Sequence, residues 1–206
     1  TDKDIKNIVV LLHGYGGDGN DIAQVTLNWK RFLPNTLFIC PNAPETCSIN
    51  PSGFQWFDLS QDDEEFVLNE SKKNELVLKK FLKEINEKFS LPNSKICISG
   101  FSQGCMMSIN VGLSSDDKYS GVLGFSGKII NKKDLSKRIN FKPEIMLIHG
   151  ENDEIVSCVN SLEAKDFLER NKVPVKLEII KNCGHHIPIE ASSIGLKFIK
   201  KILNIN

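Results

Sequence analysis

The sequence carries no surplus of charge: 26 lysine and arginine residues balance 26 aspartate and glutamate residues across 206 positions. Without a net positive field there is no electrostatic basis for binding nucleic acid or an anionic membrane surface. The one local basic cluster, Lys128, Lys132, Lys133, Lys137 and Arg138, reads as a solvated loop and helix face. No apolar run approaches the ~20 residues needed to cross a bilayer, so no membrane anchor is expected. Thr1 to Lys6 is charged and leads directly into a short apolar stretch, without the h-region or cleavage site of a secretory signal. Cys40, Cys47, Cys97, Cys105, Cys158 and Cys183 show neither a C-x-x-C pair nor the rhythm of zinc ligands. Several sit inside apolar segments, where free cysteine behaves as a small hydrophobe. The expectation is a reduced, cytoplasmic protein without structural disulfides, metal or cofactor.

What is present is an alternation of short β-like runs with longer helical ones. Strands are expected at Asn7–His13, Thr36–Cys40, Lys95–Ser99, Gly121–Phe125, Glu144–His149 and Val175–Lys181, each apolar and bounded by Gly, Pro, Asn or Ser. Several are nearly continuous apolar runs, as parallel strands covered on both faces require. Between them, Leu78, Phe81, Leu82, Ile85 and Phe89 recur at three and four residues, an apolar stripe on one helix face. Ser161–Asn171 and Ser192–Leu203 read as further helices. This alternation predicts an α/β class: a mostly parallel sheet with helices on both faces, in one domain over residues 1–206. Pro41 to Ser60 is the least regular part, with three prolines and Trp56.

The strongest chemical signal is Gly100-Phe101-Ser102-Gln103-Gly104. It matches G-x-S-x-G directly after the strand Ile96-Cys97-Ile98 and before the helical run Cys105–Leu113. A serine on so sharp a strand-to-helix turn has its hydroxyl thrust outward. The helix N-terminus behind it adds N–H groups for a developing oxyanion. Ser126, in Gly124-Phe125-Ser126-Gly127, has the wrong glycine spacing and reads as a strand-end residue.

A serine hydroxyl needs a histidine to remove its proton and an acid to orient that histidine. On an elbow of this kind the chain order is Ser, acid, His. Asp153 follows the apolar run Ile145–Ile148 through His149-Gly150-Glu151-Asn152, at a strand's C-terminal end, where α/β folds collect functional groups. Glu151 and Glu154 beside it read as solvated. His185 and His186 follow the next strand through Asn182-Cys183-Gly184, and the residues alone do not decide between them. His149 and His13 each close a strand and read as structural. The early run Leu11 to Gly19 is a strand entering a glycine-rich loop of the kind that supplies an oxyanion N–H; Tyr15 is the expected donor, with the Gln103 N–H as the second. That loop has no G-K-[ST] and fits neither a P-loop nor a dinucleotide fingerprint.

Taken in order, LLHGYGGDG, ICPNAP, GFQWFD, ISGFSQG, LIHGENDEIV and NCGHH resemble the phospholipase/carboxylesterase family of α/β-hydrolases, which includes acyl-protein thioesterases and small bacterial carboxylesterases. The resemblance implies an α/β-hydrolase fold without a large lid domain, and Ser102, Asp153 and His185 as the triad. It favours His185 over His186, because the family's glycine-histidine pattern falls on Gly184-His185. It aligns W-F-D on Trp56-Phe57-Asp58, which assigns Trp56 to the substrate site, although a core tryptophan fits the residues equally well. The implied substrates are small-molecule or lipid esters and thioesters, acylated proteins among them, with short to medium acyl chains; the family also includes homodimers. The sequence departs from the pattern at Cys105, where many members have a second glycine, and at Cys183 before the histidine loop. The rival expectation is an inactive binding protein of the same fold, since fold alone does not secure activity; the presence of all three candidate residues speaks against it.

Overall fold

The computed structural model describes residues 4–61 and 63–205. Its strands, in chain order, are β1 (Asn7–Leu12), β2 (Thr36–Ile39), β3 (Glu45–Thr46), β4 (Phe54–Gln55), β5 (Ile96–Phe101), β6 (Gly121–Phe125), β7 (Glu144–Gly150) and β8 (Val175–Ile180). Six of them form one parallel sheet in the order β2-β1-β5-β6-β7-β8, with Leu12 level with Gly100 and Phe101 level with Phe125. These are the six strands expected from the apolar runs, within two residues at each end. β3 and β4 form a small antiparallel hairpin inside the segment 41–60, which the sequence shows only as loop.

The helices are α1 (Gly19–Leu27), α2 (Glu64–Phe89), α3 (Gln103–Ser114), α4 (Lys132–Ser136), α5 (Val159–Arg170) and α6 (Ile189–Ile202). Alternate strand residues serve opposite faces. Val9 and Leu11 pack with Ile22 of α1 and with Phe198 and Ile199 of α6. Ile8, Val10 and Leu12 pack with Leu78, Leu82 and Ile85 of α2 and with Met107 and Val111 of α3. Ala164 and Leu168 of α5 cover Ile145 and Leu147 of β7 on that second side. Helices therefore lie on both faces, and each fully buried Leu or Ile contributes about 1.5–3 kcal/mol.

Two local features differ from the sequence expectation. α2 is 26 residues long, more than twice the length of its apolar stripe. Its first half is started by the Asp63 carboxylate, which accepts the Phe66 N–H at 2.7 Å, and it buries Ser71, Asn74 and Glu75 instead of apolar residues. Arg138, read as solvated, closes on that buried face: its guanidinium donates to Glu75 at 2.8 Å, and the Asn110 amide donates to the same carboxylate at 2.9 Å. A buried carboxylate needs such partners to remain charged.

The chain passes from β1 outward to β2, then returns to the other side of β1 as β5. The carboxyl ends of β1 and β5 thus flank a topological switch point, where open α/β sheets form their binding crevice. The glycine-rich loop leaves β1 there, and Ser102 follows β5.

Candidate active site

Ser102 joins β5 to α3 with φ 54° and ψ −117°. This left-handed conformation is strained for a residue with a Cβ, costing about 1–3 kcal/mol, and its surroundings hold it in place. The Ser102 N–H donates to Phe125 O at 2.9 Å. A Cβ on Gly100 would meet the Gly104 carbonyl at 2.2 Å, and one on Gly104 would meet Leu12 O at 2.3 Å. Strand and helix therefore cross closely enough that only glycine fits at both positions.

His185 reaches this hydroxyl from the loop after β8, with Nε2 3.1 Å from Ser102 Oγ. Its Nδ1 lies 2.7 Å from Asp153 Oδ2, so that Nδ1–H donates and Nε2 is left to accept. Asp153 Oδ1 accepts the N–H groups of Ile155 at 3.0 Å and Val156 at 2.8 Å. Burial pushes the Asp153 carboxyl up, but the hydrogen bonds from His185 and from the Val156 and Ile155 N–H groups outweigh it and hold the pKa below the usual range. Ser102, His185 and Asp153 thus lie in one hydrogen-bonded chain. His186 is exposed and has its ring beside Cys183 Sγ at 3.9 Å. Phe101 packs on the His185 ring at 4.7 Å between centroids, a contact the sequence does not announce.

The glycine-rich loop lies beside Ser102, and a Cβ on Gly14 would be 3.2 Å from the Ser102 Cβ. Among the described residues, neither the Tyr15 N–H nor the Gln103 N–H has a hydrogen-bond partner. The hairpin loop braces them. Gly16 N–H donates to Phe54 O and Phe54 N–H to Gly17 O, both at 2.9 Å, and the Asn50 amide donates to Gly16 O at 2.7 Å. His13 is buried; its Nε2 accepts the Ala43 N–H at 2.9 Å. Trp56 is 2% exposed and donates its indole N–H to His13 O at 2.9 Å. It supports the loop from behind and is absent from the lining of the crevice beside His185. The Gln103 side chain ties the elbow to the same segment, accepting the Trp56 N–H at 2.9 Å and donating to Phe57 O at 2.7 Å.

The profile of the phospholipase/carboxylesterase family matches residues 1–203. The chain belongs to that family. It is 30% identical to acyl-protein thioesterase 1 of Aspergillus fumigatus, over 95% of this chain and 87% of that protein. The corresponding protein of Gibberella zeae is 28% identical, with 95% and 90% covered. Among solved structures, esterase PE8 superposes with a TM-score of 0.92 at 34% identity, covering 97% of this chain and 94% of that one. The chain is accordingly a hydrolase of the carboxylesterase type with an α/β-hydrolase fold, and the described residues include no large lid.

Against that family pattern, Cys105 is accommodated rather than tolerated. Its side chain fills space left by two glycines: a Cβ on Gly124 would come within 2.4 Å of Cys105 Sγ, and one on Gly127 within 2.5 Å. Gly124→Ala should therefore lose about 1–3 kcal/mol of stability through overpacking, and Cys105→Ala in the same chain should recover part of it. Denaturant midpoints of the four chains in this double-mutant cycle measure the coupling; strictly additive losses would show that the bulk is absorbed elsewhere. Burial pushes the Cys105 thiol up to about 12 and raises that of Cys183, which keeps both out of the reactive thiolate form.

A crevice of about 350 Å³ opens beside His185. Ile22 and Val25 of α1, Phe101 and Ile187 give it apolar walls, and Tyr15, Asp21 and His186 line it as well. Among the described residues, no three His, Cys, Asp or Glu side chains are grouped to hold a metal ion.

Proposed function

We propose that this hydrolase cleaves carboxylic esters or thioesters of short to medium acyl chains through a Ser102–His185–Asp153 triad and an acyl-enzyme intermediate. The observation that carries the proposal is the continuous chain from Ser102 Oγ to His185 Nε2 at 3.1 Å and from His185 Nδ1 to Asp153 Oδ2 at 2.7 Å. His185 takes the serine proton as Oγ attacks the acyl carbonyl, and Asp153 stabilises the imidazolium that results. The Tyr15 and Gln103 N–H groups, pointing at no partner of their own, receive the oxyanion. The imidazolium then protonates the departing alcohol or thiol, and a water activated by the same imidazole hydrolyses the acyl-serine.

The apolar crevice supports the acyl preference, since 350 Å³ lies near the lower end of the about 300–1,000 Å³ typical of ligand pockets. Trp56 serves this chemistry through the His13 carbonyl, holding the oxyanion loop from behind. Relatives named acyl-protein thioesterase support thioesters of acylated proteins as a substrate class, and the match to the phospholipase/carboxylesterase family supports carboxylic esters, lipid esters among them. All six cysteines are unpaired, which supports a reducing, cytoplasmic setting.

Rapid mixing with an activated acetate ester, followed by peptide mass analysis, tests the mechanism. A burst of product in proportion to enzyme, with acetyl on the peptide containing Ser102, is expected. Hydrolysis without burst or adduct, together with an unmodified Ser102 in single-turnover quench, would remove the acyl-enzyme step. A parallel panel of esters and S-acyl thioesters of increasing length should show activity declining once the chain outgrows the crevice.

A further inference from the structure

His149 is the penultimate residue of β7, and its side chain is wholly buried, as is that of Asp153. His149 Nε2 lies 3.2 Å from Asp153 Oδ2, the same oxygen that accepts His185 Nδ1–H. It also lies 2.7 Å from Val156 O. A carbonyl can only accept, so Nε2 carries a proton and is shared between that carbonyl and the carboxylate. On the other side, Nδ1 sits 2.5 Å from Ser161 Oγ of α5. With Nε2 protonated, Nδ1 of the neutral ring accepts the Ser161 hydroxyl proton.

The four groups on Asp153 divide two and two. The Ile155 and Val156 N–H groups hold Oδ1, which suffices to shape the turn. Oδ2 is left to two imidazoles, His185 and His149. We propose that His149 is a positioning residue for the acid of the triad, a neutral N–H donor that fixes the direction of Asp153 Oδ2 and takes part of its charge. This rests on the reading of Asp153 as the triad acid. Burial keeps His149 neutral by lowering its pKa. The charged or titratable groups facing it are Asp153 and His185; Ser161 of α5 and the Gly127 carbonyl after β6, which lies 3.4 Å from Ser161 Oγ, contribute neutral groups only.

The direction of the effect follows. Without the His149 N–H, Oδ2 directs its full charge at His185, the imidazolium is better stabilised, and the base is freed only at higher pH. The lost constraint also lets the carboxylate swing, which weakens transition-state stabilisation without touching the substrate crevice. His149→Leu should therefore lower kcat about tenfold, with KM nearly unchanged. The acid limb of kcat/KM should move to higher pH, and the far-downfield Nδ1 proton resonance of His185 should shift. His149→Gln, which keeps a donor, should recover most of the loss. Ser161→Ala, which leaves the ring in place but frees its orientation, should move the limb in the same direction by less, and it carries the test should the leucine variant fail to fold. Variants whose acid limb and resonance match the native chain, with kcat reduced only by the unfolded fraction, would overturn the proposal and leave His149 a packing residue. A native chain without hydrolytic activity would overturn the triad reading and this one together; an active native chain with unaffected variants overturns this one alone.

Discussion

Ser102→Ala is expected to lower kcat by about a million-fold while leaving the protein folded. The loss is large because the proposal asks one oxygen to form the covalent intermediate, and neither His185 nor the oxyanion loop can substitute for it. The fold should survive because Ser102 makes no side-chain cap to α3. Its backbone hydrogen bond to Phe125 O is independent of the hydroxyl. Alanine meets the same strain at φ 54° as serine does, so stability should change by no more than about 1 kcal/mol. Steady-state hydrolysis and thermal melting of the two chains check both halves. A variant that melts like the native chain and retains more than a small fraction of its rate would place the nucleophile elsewhere.

Asp153→Asn should cost about ten-thousand-fold in kcat at neutral pH, and the geometry gives the reason. Oδ1 accepts two backbone N–H groups, from Ile155 and Val156, so the asparagine carbonyl must take that position. The amide NH2 is then forced into the Oδ2 position, where it faces His185 Nδ1. The imidazole can keep a hydrogen bond only by moving its proton to Nε2, which leaves nothing to accept the Ser102 proton. KM should change little, because Asp153 lies outside the crevice. Stability should respond to pH as well. The depressed carboxyl of the native chain contributes stability that is present above the unfolded value of about 3.9 and is lost as pH falls through the lower folded value. The asparagine side chain cannot titrate, so acid denaturation of the variant should lack that component. Rates for several pH values, with matched acid melts, would expose a purely structural aspartate by a loss of only a few-fold.

Much of this could be read before the fold was seen, for physical reasons that differ between residues. The central strands announce themselves because both faces are covered, so Ile8 to Leu12 and Ile96 to Ile98 must all be apolar. Ser102 is legible because α3 passes so close to β5 at Gly100 and to the end of β1 at Gly104 that glycine is demanded at both positions, at fixed spacing. Other features leave no pattern. The first half of α2 buries a polar face satisfied by Arg138 from 63 positions away, which no local periodicity reveals. α1 is nine residues long and is started by the Asp18 carboxylate, a signal hidden inside the glycine-rich loop. His185 and His186 are adjacent and chemically identical, and only the turn after Gly184 decides which ring meets Ser102. Trp56 shows the limit most clearly. Its sequence position beside Phe57 and Asp58 suits a substrate wall, whereas its indole points at the His13 carbonyl. Likewise His149 reads as a strand-end histidine until its contact with Asp153 Oδ2 is measured.

The most direct test of the central claim is labelling of the native chain with a fluorophosphonate, with the modified residue located by peptide mass analysis and Ser102→Ala as control. One adduct per chain, on Ser102, is expected, and none on the variant. An adduct on another serine, such as the strand-end Ser126, or no adduct on a folded native chain, would contradict it.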